Sequence, residues 1–186
     1  MGRRAEAAVQ TGERILDAVE ALFWERLTDD ISLEEIARKA GVSALTVIRR
    51  FGGKDSVFAA AAERGAERIR QQRSHATPGD VPGAVKLLIE HYEEHGDAVL
   101  RLLVEEGRST TLRAIVERGR ETHREWCERI FASALLRLRG HDRKRRLAQL
   151  MAVCDVYLWK ILRRDRGLSR AETERAVMEI LQPLME

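Results

Sequence analysis

Proline and cysteine are scarce in this chain, and long apolar runs are missing. Only three prolines occur in 186 residues, so little prevents helices from forming along most of the sequence. The two cysteines, Cys127 and Cys154, lack the CxxC spacing of zinc and redox motifs and are interpreted as reduced thiols. No apolar run approaches the roughly 18 residues of a transmembrane helix, and no apolar stretch follows the basic N-terminus. We therefore expect a cytoplasmic protein that makes no use of a membrane.

Alternating β-branched residues, the signal of strands, are also missing. Apolar residues recur instead at helical spacing, for example Ile15, Val19 and Leu22. The clearest break is SHATPGDVPG, residues 74–83, with short segments before it and long apolar ones after it. The sequence predicts an all-α fold, with a three-helix N-terminal head and a C-terminal helical bundle.

The helix boundaries follow from capping residues and glycines. The first helix is expected from about Thr11, and a fourth from Lys54 to about Gln72. Further helices are expected near 82–95, 97–106, 110–139, 143–165 and 170–182. The last of these begins with a Ser-x-x-Glu capping box, Ser169 to Glu172.

Residues 32–51 have the pattern of a helix-turn-helix. Ser32 and Glu35 form a capping box at the start of one helix, and Gly41 supplies the positive φ that a tight turn needs. Ala37 is small enough for close approach of the next helix, and Val47 fills the angle between the two helices. An ordinary helical hairpin with a glycine corner is the alternative interpretation.

The local charge favours the helix-turn-helix. Residues 1–60 contain nine Lys and Arg against ten Asp and Glu, so this part of the chain is not basic as a whole. Between Ile36 and Lys54, however, there is no acid and there are five basic residues. A polyanion such as DNA would bind at this window.

The stretch TGERILDAVEALFWERLTDDISLEEIARKAGVSALTVIRRFGGKDSVFAAAAE, residues 11–63, resembles the DNA-binding head of the TetR/AcrR family of transcriptional regulators. The family's run after the turn is a Ser, a variable pair, Thr, an apolar residue, Tyr, Arg, His, Phe, two small residues, Lys and an acid. This chain has SALTVIRRFGGKD at residues 43–55. The run LRRDRGLSR before the last helix also resembles family members.

The resemblance implies a set of DNA-binding residues on and beside the third helix. Thr46, Arg50 and Lys54 would grip phosphates, with Ser43 capping the helix, while Ala44 and Leu45 would face the floor of the major groove. The full set is Ser43, Ala44, Leu45, Thr46, Ile48, Arg49, Arg50 and Lys54. Arg3 and Arg4 are candidates for an arm in the minor groove.

Three positions depart from the family pattern. Ile48 replaces the usual Tyr and has no hydroxyl to donate to a phosphate. Leu45 is bulky where a small residue is common, so the reading surface would be richer in apolar contact with thymine methyl groups. Leu27 occupies the place of a glycine that usually ends the first helix, and Trp24 the place of an alanine.

The C-terminal part is expected to sense a ligand and to pair two chains. We divide the chain into a DNA-binding domain, 1–55, and a ligand-sensing and dimerisation domain, 56–186. The resemblance implies a homodimer through the last two helices and a pocket for an effector, expected to be small and apolar or aromatic. The side chains that we assign to this pocket are Tyr92, Leu103, Trp126, Cys127, Phe131, Met151, Cys154 and Tyr157.

The function predicted is a ligand-responsive repressor that binds a palindromic operator in double-stranded DNA as a dimer. One alternative is a dimeric DNA-binding regulator without a ligand. A second is a metal-dependent helical-bundle enzyme, since His91 and His95 share a helix face, although a solvated helix end is the expected explanation for that pair. No catalytic motif or phosphate-binding glycine loop is present, so we expect no enzyme activity and no cofactor.

Overall fold

The computed structural model describes residues 2–186, and for residues 3 and 4 it describes the backbone alone. The helices are α1 (Gly2–Glu25), α2 (Leu33–Ala40), α3 (Ala44–Phe51), α4 (Lys54–Ser74), α5 (Val81–Glu105), α6 (Thr110–Ile130), α7 (Ala132–Leu136), α8 (Gly140–Val153), α9 (Val156–Lys160) and α10 (Arg170–Leu181). Three 3-10 turns (Thr28–Asp30, Glu106–Arg108 and Gln182–Leu184) and a π-helical segment, Ile161–Asp165, complete the described chain. Residues 2–186 contain no strand, and the all-α prediction is confirmed. Over the same residues, no helix is both long and apolar enough to cross a membrane.

The chain divides into two compact units. The first unit comprises residues 1–67 and 101–116, and the second comprises residues 68–100 and 117–186. The first unit has an apolar core in which Ile15, Ile31, Ile36 and Val47 are fully buried. The second unit is built around Leu88, Ile130, Leu150, Trp159 and Leu181.

Helix α1 begins earlier than the sequence suggested. Its backbone is helical from Gly2, so residues 3 and 4 lie in its first turn. The side chains of these two arginines fall outside the described residues, and the minor-groove arm stays a prediction. Leu27 follows the helix in an extended conformation, with φ −68° and ψ 153°, which any residue can adopt. Leucine therefore fits at position 27 without strain, although a glycine is usual there in the family.

Helix α5 corrects the prediction of two helices, 82–95 and 97–106. Gly96 lies inside one continuous helix and does not end it. A Cβ at Gly96 would lie 2.5 Å from the ring of Trp159, so the glycine provides room for the indole. A residue that resembles a helix breaker in the sequence therefore has a packing role.

Helix 110–139 is also divided, at Phe131. Phe131 has φ −98° and ψ 23°, outside the helical range. The carbonyl of Ile130 accepts a hydrogen bond from the Gly79 amide at 3.2 Å instead of continuing the helix. The linker that contains Gly79 thus ends α6 one residue before Phe131.

The predicted helix 143–165 is interrupted between α8 and α9. Asp155 is extended, and its carboxylate accepts a hydrogen bond from the Tyr157 amide at 3.0 Å, which caps a new helix. The Cys154 carbonyl accepts a hydrogen bond from the Tyr92 hydroxyl at 2.9 Å. These two polar contacts satisfy backbone groups that the interruption leaves without helical partners.

Candidate nucleic-acid interface

Helices α2 and α3 are joined by a tight turn at Gly41. Gly41 has φ +67°, in the left-handed region that glycine adopts without strain. The Val42 amide donates to the Ala37 carbonyl at 2.9 Å, which closes the end of α2. Ala37 and Val47 are buried between the helices, as the sequence predicted.

Both helices begin at a side-chain cap. The Ser32 hydroxyl accepts a hydrogen bond from the Glu35 amide, and the Glu35 carboxylate accepts one from the Ser32 amide. This bond and the guanidinium of Arg26 lower the pKa of Glu35 to about 2. Ser43 caps α3 by accepting from the Thr46 amide at 3.2 Å, and the two hydroxyls lie 2.9 Å apart. The start of α3 is therefore fixed by local hydrogen bonds.

The outer face of α3 presents apolar and basic side chains. Leu45 is 61% exposed and Ile48 is 43% exposed. Arg49 and Arg50 are exposed on the same helix, in its last turn. Ala44 is half-buried against the core of the first unit, so Leu45 forms the exposed tip of the helix.

The positive charge of this region is neutralised on α2 but not on α3. Lys39 lies 3.4 Å from a Glu25 carboxylate oxygen, and Arg38 lies 3.9 Å from Glu35. Within the described part of the chain, Arg49 and Arg50 form no ion pair. The net positive charge is thus displayed on the helix that also presents Leu45.

Arg50 is positioned by a glycine of α1. A Cβ at Gly12 would lie 2.6 Å from both Nε and Nη2 of Arg50, so the guanidinium lies directly against the α1 backbone. A groove of about 770 Å³ opens here. It is lined by Ala8, Thr11, Gly12, Glu13, Leu16, Thr46, Arg49, Arg50 and Phe51. Sequence analysis did not identify Gly12, although a glycine in the middle of a helix is a signal of close approach.

Lys54 is the first residue of α4. Its ammonium group lies 3.4 Å from the Asp29 carbonyl oxygen, a long contact that leaves donors for another partner. The first amides of a helix and its dipole favour an anion at this end. Lys54 therefore lies at a helix end that favours an anion.

The residues assigned to an effector pocket are divided between the two units. Five are buried in the second unit (Tyr92, Trp126, Cys127, Phe131 and Cys154), and Met151 is half-buried there. Tyr157 is 53% exposed, and Leu103 lies in the segment 101–116 of the first unit. Contacts link the buried members, since Tyr92 donates to the Cys154 carbonyl and the rings of Trp126 and Phe131 meet edge to face at 6.5 Å.

Three further polar residues lie beside this cluster, and sequence analysis did not assign them to it. Arg73, His91 and His123 are all buried. Burial lowers the pKa of His91 to about 2, and the Arg73 charge contributes. The expectation that His91 belongs to a solvated helix end is therefore wrong. No group of three potential metal ligands occurs among the described residues.

Comparisons with known proteins agree with this geometry. Residues 15–61 match the family described as bacterial regulatory proteins, tetR family. Two relatives, both uncharacterized HTH-type transcriptional regulators from strains of Mycobacterium tuberculosis, are 34% identical over 87 residues. That match covers 47% of this chain and 42% of each relative.

Solved structures have the same fold over nearly the whole chain. A transcriptional regulator from Rhodococcus sp. Rha1 is similar with a TM-score of 0.71 and 22% identity, over 92% of this chain and 96% of that one. NalD, the secondary repressor of the MexAB-OprM multidrug efflux pump in Pseudomonas aeruginosa, has a TM-score of 0.61 and 24% identity, with 96% and 95% covered. At residues 15–61 the chain is similar to the tetR family of bacterial regulatory proteins, and over nearly its whole length it has the fold of solved regulators.

Proposed function

We propose that this protein is a sequence-specific DNA-binding transcriptional regulator that inserts α3 into the major groove. The observation that supports this most strongly is the outward face of α3, where Arg49 and Arg50 are exposed beside Leu45. A short helix with exposed basic residues fits the groove of B-DNA and its phosphates. The similarity of residues 15–61 to a family of regulatory proteins supports a regulator and not an enzyme.

The side chains divide into phosphate contacts and base contacts. Arg50, whose guanidinium lies close to Gly12, and Lys54, at the start of α4, would bind phosphates. The Thr46 hydroxyl would donate a hydrogen bond to a phosphate of the DNA, while the Thr46 amide donates to the Ser43 hydroxyl. Such contacts position the protein but carry no sequence information.

Base reading falls to the exposed apolar residues. Leu45 and Ile48 have no hydrogen-bonding groups, so their contacts favour the methyl group of thymine. Arg49 is the exposed donor nearest to them on α3, and it would bind a guanine edge or a phosphate. Ala44 allows the helix N-terminus to approach the groove floor.

A homodimer would present two such helices to one duplex. In the last helices of the second unit, Tyr157, Ile161 and Ile180 are exposed to between 42% and 53%. Three large apolar side chains exposed on these last helices favour their burial against a second copy of the chain. Two recognition helices about 34–36 Å apart would read a palindromic operator.

We further propose that an effector bound in the second unit controls DNA affinity, and that the regulator acts as a repressor. The buried cluster around Tyr92 and Trp126 combines aromatic surface with polar groups, as small-molecule sites do. A ligand that binds one dimer conformation more tightly than another would change operator affinity by that difference. NalD, whose fold this chain shares, is itself a repressor.

Salt titration of DNA binding tests the proposed interface. Binding to a random-sequence duplex would be followed by fluorescence anisotropy at several salt concentrations, for the wild type and for Lys54→Ala. Lys54→Ala should weaken binding and flatten the salt slope by roughly 0.9. Lys86→Ala, an exposed lysine of the second unit, is the matched control and should leave the slope unchanged.

The outcomes separate the parts of the proposal. A wild-type protein that does not bind duplex DNA would contradict the function as a whole. Binding with an unchanged slope in Lys54→Ala would remove only Lys54 from the phosphate contacts.

Sedimentation of an interface variant tests the dimer. Ile161→Lys places a charge on the proposed interface and should yield monomers with weakened DNA binding. Val104→Lys, at an exposed apolar position of the first unit, should remain dimeric. A wild-type protein that is monomeric at all concentrations would contradict the dimer.

Release of DNA by small aromatic compounds tests the effector. A compound that dissociates the complex should also raise the melting temperature of the free protein, and Trp126→Leu should abolish both effects. If compounds that bind the free protein leave the DNA complex intact, the ligand-independent regulator is the better description.

A further inference from the structure

A fully buried carboxylate lies in the first unit, at the end of α5. Glu105 is the last residue of that helix, and its Oε2 accepts hydrogen bonds from the Thr28 amide, at 2.9 Å, and from the Thr28 hydroxyl. The two residues are 77 positions apart in the chain, and both belong to the first unit. The end of α5 is therefore bonded directly to the turn Thr28–Asp30, which lies between α1 and α2.

Glu105 supplies a cap that the turn lacks locally. The Thr28 amide is the first of this 3-10 turn, and the first amides of a helix have no partner within it. Leu27 stands at the capping position and makes no side-chain hydrogen bond. Its side chain has no oxygen, unlike those of the residues that usually cap helices. The Glu105 carboxylate takes the place of that local cap, and it also satisfies the buried Thr28 hydroxyl.

Two arginines near Glu105 bind the same part of the first unit. Arg101 Nη1 donates to the Phe23 carbonyl at 2.9 Å, in the last turn of α1, where carbonyls lack helical partners. Arg108 Nη1 lies 2.6 Å from an Asp29 carboxylate oxygen, in an exposed ion pair that contributes little stability. We call Arg101, Glu105 and Arg108 the clamp. Its contacts extend from the end of α1 to the middle of the turn.

The clamped turn leads to two parts of the candidate DNA interface. The Asp29 carbonyl oxygen lies 3.4 Å from the Lys54 ammonium group, so the turn carries an acceptor that Lys54 contacts. Ile31, directly after the turn, is fully buried, and its amide donates to the Thr28 carbonyl at 3.2 Å. Ser32, the next residue, caps α2. A shift of the turn would therefore displace both the Lys54 contact and the start of the helix-turn-helix.

We propose that the clamp is a positioning device for DNA binding, in which Glu105 holds the turn Thr28–Asp30 where Lys54 and α2 can meet the DNA. The inference rests on the proposed function, because it concerns affinity for DNA. Glu105 is fully buried and acts through the turn, so it is a positioning residue and not a DNA contact.

The second oxygen of the carboxylate indicates which substitution the clamp tolerates. Glu105 Oε1 is buried without a hydrogen-bond partner, and no described residue forms an ion pair with Glu105. A buried charge without a counter-ion is unfavourable, and both donors of Thr28 use Oε2 alone. Glutamine keeps an oxygen acceptor at the same reach and removes the charge. The clamp therefore requires the acceptor and not the charge.

DNA binding by variants of Glu105 tests the proposal. Affinity for a random-sequence duplex would be measured by fluorescence anisotropy at several salt concentrations. Glu105→Ala leaves both Thr28 donors without an acceptor, so it should weaken binding and flatten the salt slope by up to about 0.9 as Lys54 loses its position. Glu105→Gln should bind as tightly as the wild type. Val104→Ala, at an exposed position of α5, is the matched control and should leave affinity unchanged.

Two results would overturn the proposal. One is wild-type affinity in Glu105→Ala, and the other is a loss in Glu105→Gln equal to that in Glu105→Ala. Thr28→Val removes one of the two donors with little change of shape, and it should weaken binding by a smaller factor. This variant repeats the test if Glu105→Ala does not fold.

A double-mutant cycle separates positioning from a general loss of stability. Circular dichroism first establishes that each variant is folded under the assay conditions. If Glu105 acts through Lys54, the double variant Glu105→Ala, Lys54→Ala should bind DNA more tightly than the product of the two single losses predicts. Losses that multiply would overturn the claim that Glu105 positions Lys54.

Hydrogen exchange gives a readout that needs no DNA. In Glu105→Ala, the amides of residues 28–36 should exchange faster than in the wild type, while those of residues 117–130 in the second unit keep their rates. Wild-type exchange throughout would overturn the clamp. Faster exchange with unchanged DNA affinity would overturn its role in binding and leave the proposed function standing. A wild type that binds no duplex would contradict the proposed function, and with it the role of the clamp in DNA binding.

Discussion

The two units of this protein have cores of different chemistry. The core of the first unit is apolar, with Ile15, Ile31, Ile36 and Val47 fully buried. Its buried carboxylate, Glu105, accepts hydrogen bonds from both the amide and the hydroxyl of Thr28. The core of the second unit buries a guanidinium, two imidazoles and two thiols.

The different cores suit different roles for the two units. A core that is almost entirely apolar favours one packing arrangement, and the first unit needs one arrangement to hold α3 in place. Buried polar groups such as Arg73 and His91 make the second unit less stable than an apolar core would, unless a reaction or a ligand uses them. On the proposed function, the first unit would act through its exposed surface and the second through its interior.

The largest expected contrast comes from one core substitution in each unit. Ile36→Ala removes a fully buried side chain and should lower the free energy of unfolding by about 2–5 kcal/mol. Arg73→Met replaces a buried cation by an apolar chain of similar length and should change it by no more than about 1 kcal/mol, or raise it. Urea unfolding followed by circular dichroism measures both. A loss in Arg73→Met as large as that in Ile36→Ala would break the comparison.

The two capping boxes, one in each unit, allow a matched pair of substitutions with a smaller expected loss of stability. Ser32→Ala and Ser169→Ala remove equivalent caps, one from each unit, and each should lower stability by about 1 kcal/mol. Only Ser32→Ala loosens α2, so only this variant should also weaken DNA binding. Equal losses of DNA affinity would mean that the first unit alone does not determine binding.

Gly12→Ala should separate stability from binding. Alanine in a helix interior is better than glycine by up to about 1 kcal/mol, so α1 should become more stable. The new Cβ displaces the Arg50 guanidinium, so DNA affinity should fall and the salt slope should flatten by up to about 0.9. Gly65→Ala, in α4 with no neighbour within 4 Å, is the control and should gain stability without losing affinity. Unchanged DNA binding in Gly12→Ala would show that the position of the Arg50 guanidinium against α1 does not affect DNA affinity.

The smallest effect concerns acid stability of the second unit. Arg163 donates to Glu93 at 2.6 and 2.7 Å and lowers the pKa of Glu93 from 4.5 to about 2, with a contribution from the Trp159 indole. A lowered folded-state pKa stabilises the fold above the unfolded value and ceases to do so as pH falls from about 4.5 to about 2. Glu93→Gln should therefore flatten the dependence of stability on pH in this window. At higher pH, the slope of stability against pH should equal that of the wild type. A slope equal to that of the wild type would contradict the role of Arg163.

Local sequence patterns predicted the first unit well because its turns depend on neighbouring residues. Gly41, the Ser32 capping box and the Ser43 cap each act within four residues, and each is confirmed. The second unit depends on distant contacts, which a pattern does not contain. In the sequence, Gly96 resembles a helix end. Its packing role is not visible there, because the Trp159 ring that lies against it is 63 residues away in the chain. The burial of His91 arises in the same way from packing.

The most direct test of the regulatory function is selection and footprinting of DNA with the purified wild-type protein. Fragments bound from a random pool would be sequenced, and the protected region of the best one mapped. We expect an inverted repeat whose two half-sites are protected one helical turn apart, about 34–36 Å between centres. No enriched sequence, or protection of a single half-site, would contradict a dimer that presents α3 twice to one duplex.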